Sequence, residues 1–354
     1  MSQLSGYLFK TVFGAIALVL FLIVGLDVVT AIIDELEDLR GAYTFIEAVY
    51  YVVLTVPGRM SEYIPLACLI GCLIGMGSLA SSSELVVMRA NGMSLFSLAN
   101  LALRPVLVFI VFSWVLVELI APQTENWAKT HKDLLRLGSE RSLVSNSGLW
   151  HLEGNTFMHF NVVQPGGVLY GALFFHFNEN NELERRVSAR RASFVQGGWL
   201  LEDVNEITFE ASQITSSEIR QREWDTELTP DSLIFLINEP SQLAPSRLIR
   251  YAGYLEEQQI DASSFWLAFW QKALQPLAII SLVLIALSFI FGPLRSATMG
   301  YRVFIGVVVG IAFQFAQNLL GPGSLVYGFS PLLAVAVPIA ACAVVGMALL
   351  IRAR

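Results

Sequence analysis

The stretch Ser83-Glu84-Leu85-Val86-Val87-Met88-Arg89-Ala90-Asn91-Gly92 mixes one charge of each sign with apolar side chains and lies between two long apolar runs. It holds no nucleophile and no acid–base pair, so its chemistry is that of docking. Ser81, Ser82 and Ser83 offer N-cap oxygens and Asn91-Gly92 a left-handed stop. The space between them holds about two to three turns of helix. Such a helix is too short to cross a bilayer and too short to be stable alone. Leu85, Met88 and Val86 share one side, with Glu84 and Arg89 at the edges. A short surface helix of this kind suits a groove on a soluble protein. The alternative is an interfacial turn that only joins two spans.

Other chemistry-bearing residues are sparse. His131, His151, His159 and His176 all fall in one polar stretch, with no nucleophile at a useful spacing, and read as sheet-surface or core-edge histidines. Ser145 and Ser147 make no nucleophile elbow. Cys68, Cys72 and Cys342 sit in apolar runs, which favours neither a disulfide framework nor a zinc site. No phosphate-binding Gly-rich loop and no His-Glu-x-x-His motif occurs. Lys129, Lys132 and Arg136 recur at three and four residues, so one helix face carries all three. That face suits phosphate or another anionic headgroup, or is simply solvated, with snorkelling lysines. Gly306 and Gly310 form a Gly-x-x-x-Gly pair, followed by Phe313, Gln314, Gln317 and Asn318 in one apolar run. The polar members serve as helix–helix contacts or line a pathway. Asp27 lies inside the first apolar run, where a charge calls for a cavity or a partner.

The elements that position these residues are mostly membrane spans. The chain has 354 residues, 55% hydrophobic and 14% charged, with mean hydropathy +0.61. A soluble domain carries roughly 25% charged residues, so this is a membrane protein with a soluble part. The net charge of −7 argues against nucleic acid. Apolar runs at about 7–33, 45–79, 95–121, 265–291, 302–320 and 331–351 predict six spans, three on each side of a polar insert. The first is too long for a signal peptide and reads as retained. Pro57 and Pro65 predict that the second breaks into pieces, and so kinks or begins as a helix lying outside the core, and Pro122 closes the third. Lys10, Arg89, Arg104, Arg295, Arg302, Arg352 and Arg354 fall on one side, which is therefore cytoplasmic and holds both termini and the Glu84 helix. The insert, about 124–263, lies on the far side. Its segments 157–162, 171–177, 187–195 and 206–210 read as strands with Gly, Pro and Asn turns between them, which predicts an antiparallel sandwich or jellyroll. Residues 229–259 read as helical or irregular.

These features coincide with the motifs Ser147-Gly148-Leu149-Trp150, Asn178-Glu179-Asn180, Leu228-Thr229-Pro230-Asp231, Ala286-Leu287-Ser288-Phe289-Ile290-Phe291-Gly292-Pro293-Leu294-Arg295-Ser296, Met299-Gly300 with Arg302, and Leu325-Val326-Tyr327-Gly328. With the Ser83–Gly92 stretch, they make the whole chain resemble the LptF/LptG permeases, which move lipopolysaccharide out of the inner membrane of Gram-negative bacteria. The resemblance implies a membrane α-helical fold of six transmembrane helices, 3+3, with an inserted periplasmic antiparallel β-jellyroll. Helices 1–3 and the coupling helix 82–92 occupy 1–123, the β domain 124–263, and helices 4–6 occupy 264–354. It implies a heterodimer with the permease LptF, two copies of the ATPase LptB, and LptC as a further partner. ATP and Mg are bound by the partner ATPase, and none is held in this chain.

The resemblance also implies roles. Glu84, Leu85, Met88, Arg89 and Gly92 form the ATPase-coupling surface. Arg40, Lys129, Lys132 and Arg136 contact the lipid headgroup. Leu26, Asp27, Val29, Ile33, Gly306, Gly310, Phe313, Gln314 and Gln317 line the lipid cavity and lateral gate, where the first span faces the partner's fifth. Relatives tend to carry lysines at the outer end of the first span. Here Asp34, Glu35, Glu37 and Asp38 stand there with Arg40, so the lysine face at 129–136 takes a larger share, or a divalent cation bridges acids to phosphate. A competing reading is a membrane-anchored scaffold whose β domain binds a partner, but an anchor needs one span and no Gln314/Gln317/Asn318 cluster. A lipid transferase lacks any acid–base or metal set.

Overall fold

The computed structural model describes residues 2–39, 42–139, 149–164, 167–178, 182–195, 197–210, 213–226, 228, 240–257, 261–292 and 297–352. It divides into two units: Met1–Asp34, Val52–Glu125 and Pro240–Arg354 form the first, Glu35–Tyr51 and Asn126–Glu239 the second. Arg40 and parts of the quoted motifs, including Ser147-Gly148, Thr229-Pro230-Asp231 and Pro293–Ser296, lie outside the described residues.

The first unit is helical. The chain passes through α1 (Ser2–Leu36), α2 (Phe45–Ser81), α3 (Glu84–Ala90) and α4 (Leu95–Val115), then a π-helical turn at Leu116–Ile120 into α5 (Ala121–Ser139), with the start of α2 up to Tyr51 and α5 from Asn126 on belonging to the second unit. After the insert come α6 (Pro245–Glu257), α7 (Ser263–Ala273), α8 (Gln275–Phe291), α9 (Met299–Tyr327) and α10 (Pro331–Arg352). Among the described residues, five stretches are long and apolar enough to cross a membrane, and six if α7 and α8, bent by 48°, count as one broken span.

Two proline expectations are corrected. The second span does not break: α2 runs unbroken through Pro57 and Pro65. Proline at 65 has no N–H for the carbonyl of Ser61, four residues back. The Gln275 side chain donates to that carbonyl instead, at 2.7 Å. A neighbouring helix thus satisfies the freed group, the way interior prolines are tolerated in membrane helices. Nor does Pro122 end the third span. The helix runs on through it, and the π-helical turn at Leu116–Ile120 immediately precedes the proline, the kind of local adjustment that accommodates one inside a helix.

Close packing of α1 on α2 comes from glycine. A Cβ at Gly71 would lie 2.5 Å from Ile16 Cα, and one at Gly75 2.9 Å from Val12 Cα. Small residues let backbones approach where lipid gives no hydrophobic drive between helices. Leu8, Val12, Ile16, Leu69, Leu73 and Met76 fill the resulting core.

In the second unit, β1 (Leu149–Glu153), β2 (Thr156–Gln164), β3 (Val168–Phe177), β4 (Leu183–Val195), β5 (Gly198–Glu210) and β6 (Gln213–Trp224) form one antiparallel sheet whose spatial order is the chain order. The four predicted strands are β2 to β5. The outer strands β1 and β6 are the ones the sequence pattern does not reveal. β6 reads Gln-Ile-Thr-Ser-Ser-Glu-Ile-Arg-Gln-Arg-Glu-Trp, an exposed polar edge with little apolar alternation. One face of the sheet packs Met158, Phe160, Phe174, Val187, Trp199 and Leu201 into a core. Trp199 Nε1 donates to Leu228 O at 2.7 Å, which closes that core over the strand ends. Gly171, at φ +63°, sits where a Cβ would meet Asn161 Nδ2 at 2.3 Å, so β3 needs glycine there.

Candidate coupling, headgroup and gate surfaces

The short helix α3 starts unconventionally. Its N-cap, Ser83, lies at φ 61°, ψ 8° and makes no side-chain cap. The Ser81 hydroxyl donates to Gly77 O instead, and Ser82 Oγ donates to Glu84 Oε1 at 2.9 Å. Tyr7 Oη also reaches Glu84 Oε1, at 3.4 Å. The stop is as the sequence signals: Gly92 takes φ +88° and its N–H bonds Arg89 O at 2.9 Å. The faces are reversed from expectation for two residues. Leu85 and Met88 are buried in the helix-bundle core rather than offered outward, and the exposed apolar pair is Val86 (49% exposed) and Val87 (59%). The reason is length. Seven residues cannot hold a helix alone, so the i, i+3 pair Leu85/Met88 anchors it to its own chain. Arg89 and Gly92 remain exposed.

Lys132 is corrected from an open headgroup contact to an engaged one. Its ammonium donates to Glu35 Oε1 and, at 2.8 Å, to Asp38 Oδ2. It also lies over the rings of Tyr51 and Tyr43, 4.8 and 5.6 Å from their centroids. Tyr43 Oη donates to Glu35 Oε1 at 3.0 Å. Burial first, then the Glu35 carboxylate, pushes the Tyr43 phenol well above its usual range, so it stays a neutral donor. Beside this cage, His131 Nε2 meets Glu47 Oε2 at 2.7 Å. The acids at 35 and 38 thus have a protein counter-ion, and among the described residues no cluster of three or more His, Cys, Asp and Glu side chains is placed to hold a metal. Lys129 is half-buried. Arg136 lies on α5, and its side chain is outside what the structure describes.

Asp27 has a partner too, in α2. Arg59 Nη1 donates to Asp27 Oδ2 at 2.8 Å and Tyr63 Oη to Asp27 Oδ1 at 2.7 Å, while Arg59 Nε donates to Thr55 Oγ1. Arg59 and Tyr63 are what sequence reasoning missed. An acid inside one apolar run and an arginine inside the next was the available signal. On α1, Leu22, Leu26, Val29 and Ile33 are all more than half exposed on one face. Gly306 and Gly310, expected at a seam with a second permease, pack against this chain's own α2. Cβ atoms there would strike Leu73 Cδ1 at 2.2 Å and Leu66 Cδ1 at 2.3 Å. Phe313 is buried, with Gln314 and Gln317 half-buried beyond it. Arg302, read from sequence only as a cytoplasmic charge, is 2% exposed and donates to Gly77 O at 2.9 Å near the start of α3.

Helices long and apolar enough to cross a membrane, a short helix anchored by its inner face and a sheet of six strands among the described residues together define a polytopic membrane protein with an inserted β domain. The family described as lipopolysaccharide export system permease LptF/LptG matches residues 6–352, and the chain belongs to that family. It is similar to the lipopolysaccharide export system permease protein LptG of Escherichia coli (strain K12), 35% identical over 353 residues that cover 99% of this chain and 98% of that protein. It is 33% identical over 341 residues to the protein of the same description from Haemophilus influenzae (strain ATCC 51907 / DSM 11121 / KW20 / Rd), covering 95% of each.

Proposed function

We propose that this chain is one permease of an ABC transporter that extracts lipopolysaccharide from the bacterial inner membrane and passes it to a periplasmic bridge. The family match across nearly the whole chain carries the reading. The chain performs no hydrolysis. ATP and Mg are bound by two copies of a partner ATPase, LptB, with LptF as the second permease and LptC as a further partner. Both termini and α3 lie in the cytoplasm and the β domain in the periplasm. The spans are arranged 3+3, 1–123 and 264–354, around an insert at 124–263 that closes as a jellyroll.

The roles follow the geometry. On α3, Glu84 and Arg89 frame Val86 and Val87, which enter the ATPase groove. Leu85 and Met88 transmit its movement to the bundle from inside, and Gly92 ends the helix. The exposed face of α1, with Leu26, Val29 and Ile33, forms the apolar wall of the lipid route. Asp27 holds that wall to α2 through Arg59. Phe313, Gln314 and Gln317 border the cavity, while Gly306 and Gly310 keep α9 tight on α2. Arg40, Lys129, Lys132 and Arg136 receive headgroup phosphates, with Lys132 exchanging Glu35 and Asp38 for phosphate.

Reconstitution tests the reading. The complete complex in vesicles should hydrolyse ATP faster with lipopolysaccharide present and release that lipid to a soluble acceptor. A complex that hydrolyses ATP at the same rate with and without the lipid, and releases none, refutes it.

A further inference from the structure

The carbonyl end of α2 meets a buried cation to which the export reading assigns no role. Arg302, in the first turn of α9, is 2% exposed. Its Nη1 donates to Gly77 O at 2.9 Å and to Ser81 Oγ at 3.5 Å, both in the last turns of α2. Ser81 Oγ donates to the same carbonyl at 2.9 Å. The last turn of α2 holds no basic residue of its own, so a guanidinium from α9 supplies the positive charge that a helix C-terminus favours. A Cβ on Gly77 would lie 3.2 Å from Arg302 Nη1 and 3.3 Å from Met299 Sδ. The guanidinium is therefore seated directly on backbone.

The turn from α2 into α3 has little slack. Two residues, Ser82 and Ser83, separate the helices. Ser82 N–H donates to Ser78 O at 3.0 Å and Ser83 N–H to Ala80 O at 3.2 Å, while Val86 and Val87 N–H both donate to Ser83 O. Ser82 Oγ bridges onward to Glu84 Oε1. A displacement of α3 is thus carried into the end of α2 rather than absorbed between them. α3 also touches α1, through Tyr7 Oη and Glu84 Oε1, but that contact is exposed and 3.4 Å long, near the limit for a hydrogen bond. The bond from Arg302 is shorter, buried and made by a charged donor, which makes it the stronger link.

Beyond this point the seam between α2 and α9 is apolar. Arg302, Gly306 and Gly310 recur every four residues and are all buried, so they form one stripe on α9. Their neighbours on α2 run the opposite way, Gly77, then Leu73, then Leu69 and Leu66. Leucine against glycine packs closely, but dispersion contacts are individually small and a glycine offers nothing to interlock. Arg302 adds a directional bond at the α3 end of that stripe.

We infer that Arg302 is the positioning residue through which α3 moves α9. A buried cation that loses its hydrogen-bond acceptor is costly, so the α2–α3 turn and the first turn of α9 move as one body. α9 then tilts as a rigid element, and its later residues Phe313, Gln314 and Gln317 shift with it. This rests on the export function proposed above and names the route from the ATPase-docking helix to the lipid cavity.

The test uses the complete complex in nanodiscs. Arg302→Met fills much of the same space without charge or donor, and Arg302→Lys keeps the charge and a donor. Three quantities are read: ATP hydrolysis, lipopolysaccharide released per ATP, and the distance between spin labels at exposed Phe315 on α9 and exposed Val111 on α4, with and without ATP and vanadate. Arg302→Met should hydrolyse ATP within about twofold of the parent while release per ATP falls about tenfold, the scale of one hydrogen bond to a charged group. The ATP-dependent change in spin-label distance should vanish with it, and Arg302→Lys should recover part of both. A merely structural role would lower the unfolding temperature and hydrolysis together, and leave release per ATP and the distance change of the surviving complex as in the parent. That outcome overturns the inference, as does a parent complex with no distance change. Where Arg302→Met does not assemble, Gly77→Ala decides, because its added carbon displaces the guanidinium without removing the charge. A parental distance change in Gly77→Ala then overturns the inference, and a diminished one supports it. The distance change needs no lipid, so a parent that moves α9 but exports nothing refutes the export reading and not this link.

Discussion

His176 and Lys132 show how single residues change meaning with their surroundings. Both are basic residues that the sequence leaves open, as sheet histidine and as surface lysine. The fold sets His176 beside two guanidinium groups and Lys132 between two carboxylates. For His176 this has a pH consequence. Its folded pKa is lowered from the ordinary 6.5, chiefly by burial and then by Arg185 and Arg222. A depressed value means that the unfolded chain binds the proton more readily. The neutral imidazole therefore contributes its full stability above about pH 6.5, and that contribution is lost as pH falls through the folded value. Thermal unfolding of the β domain, followed by tryptophan fluorescence between pH 7.5 and 5, should show a falling midpoint that His176→Gln flattens. An identical pH slope in both proteins would remove His176 as the cause. For Lys132, the two carboxylates near the end of α1, Glu35 and Asp38, find their counter-ion on α5.

At the scale of elements, α3 is the clearest case of position overriding pattern. Apolar residues at 85, 86, 87 and 88 leave its orientation open in sequence, and the bundle decides it by taking Leu85 and Met88. The outward pair is Val86 and Val87, so substitutions should separate by face. Val87→Asp should release the ATPase from the purified complex while the permease pair stays folded, because a charge in a docking groove loses hydration without a partner. Leu85→Ala instead leaves a cavity in the core and should lower the unfolding temperature, at a cost of about 2–5 kcal/mol, with the outer face intact. Copurification followed by thermal unfolding distinguishes them, and full ATPase retention by Val87→Asp would remove this face from the docking surface. The bend between α7 and α8 has a related logic. Gln275, just after it, bonds the Ser61 carbonyl that Pro65 leaves open, so a break in one span serves an unbroken helix in another.

Across the whole molecule, the proposed lateral route depends on which surfaces stay open once the chain has packed on itself. Gly306 and Gly310 are consumed by α2, whereas the Leu26–Ile33 face of α1 is not. A cysteine at Leu26, crosslinked to one on the partner permease, should stop export, and reduction should restore it. Continued export with nearly every seam closed would leave that face as ordinary packing. The sequence by itself determined that several apolar stretches are long enough to cross a membrane, that a polar insert lies between them, four of the six strands among the described residues, and the family, because those depend on composition, period-two alternation and long local motifs. It could not orient α3, pair Asp27 with Arg59, cage Lys132 or show that prolines 57 and 65 leave α2 whole. The hydrogen-bonded partners that decide the last three lie from 32 to 214 positions apart. Only the tertiary structure decided them, because a buried charge or an open carbonyl takes whichever partner the packed neighbours bring within hydrogen-bond reach.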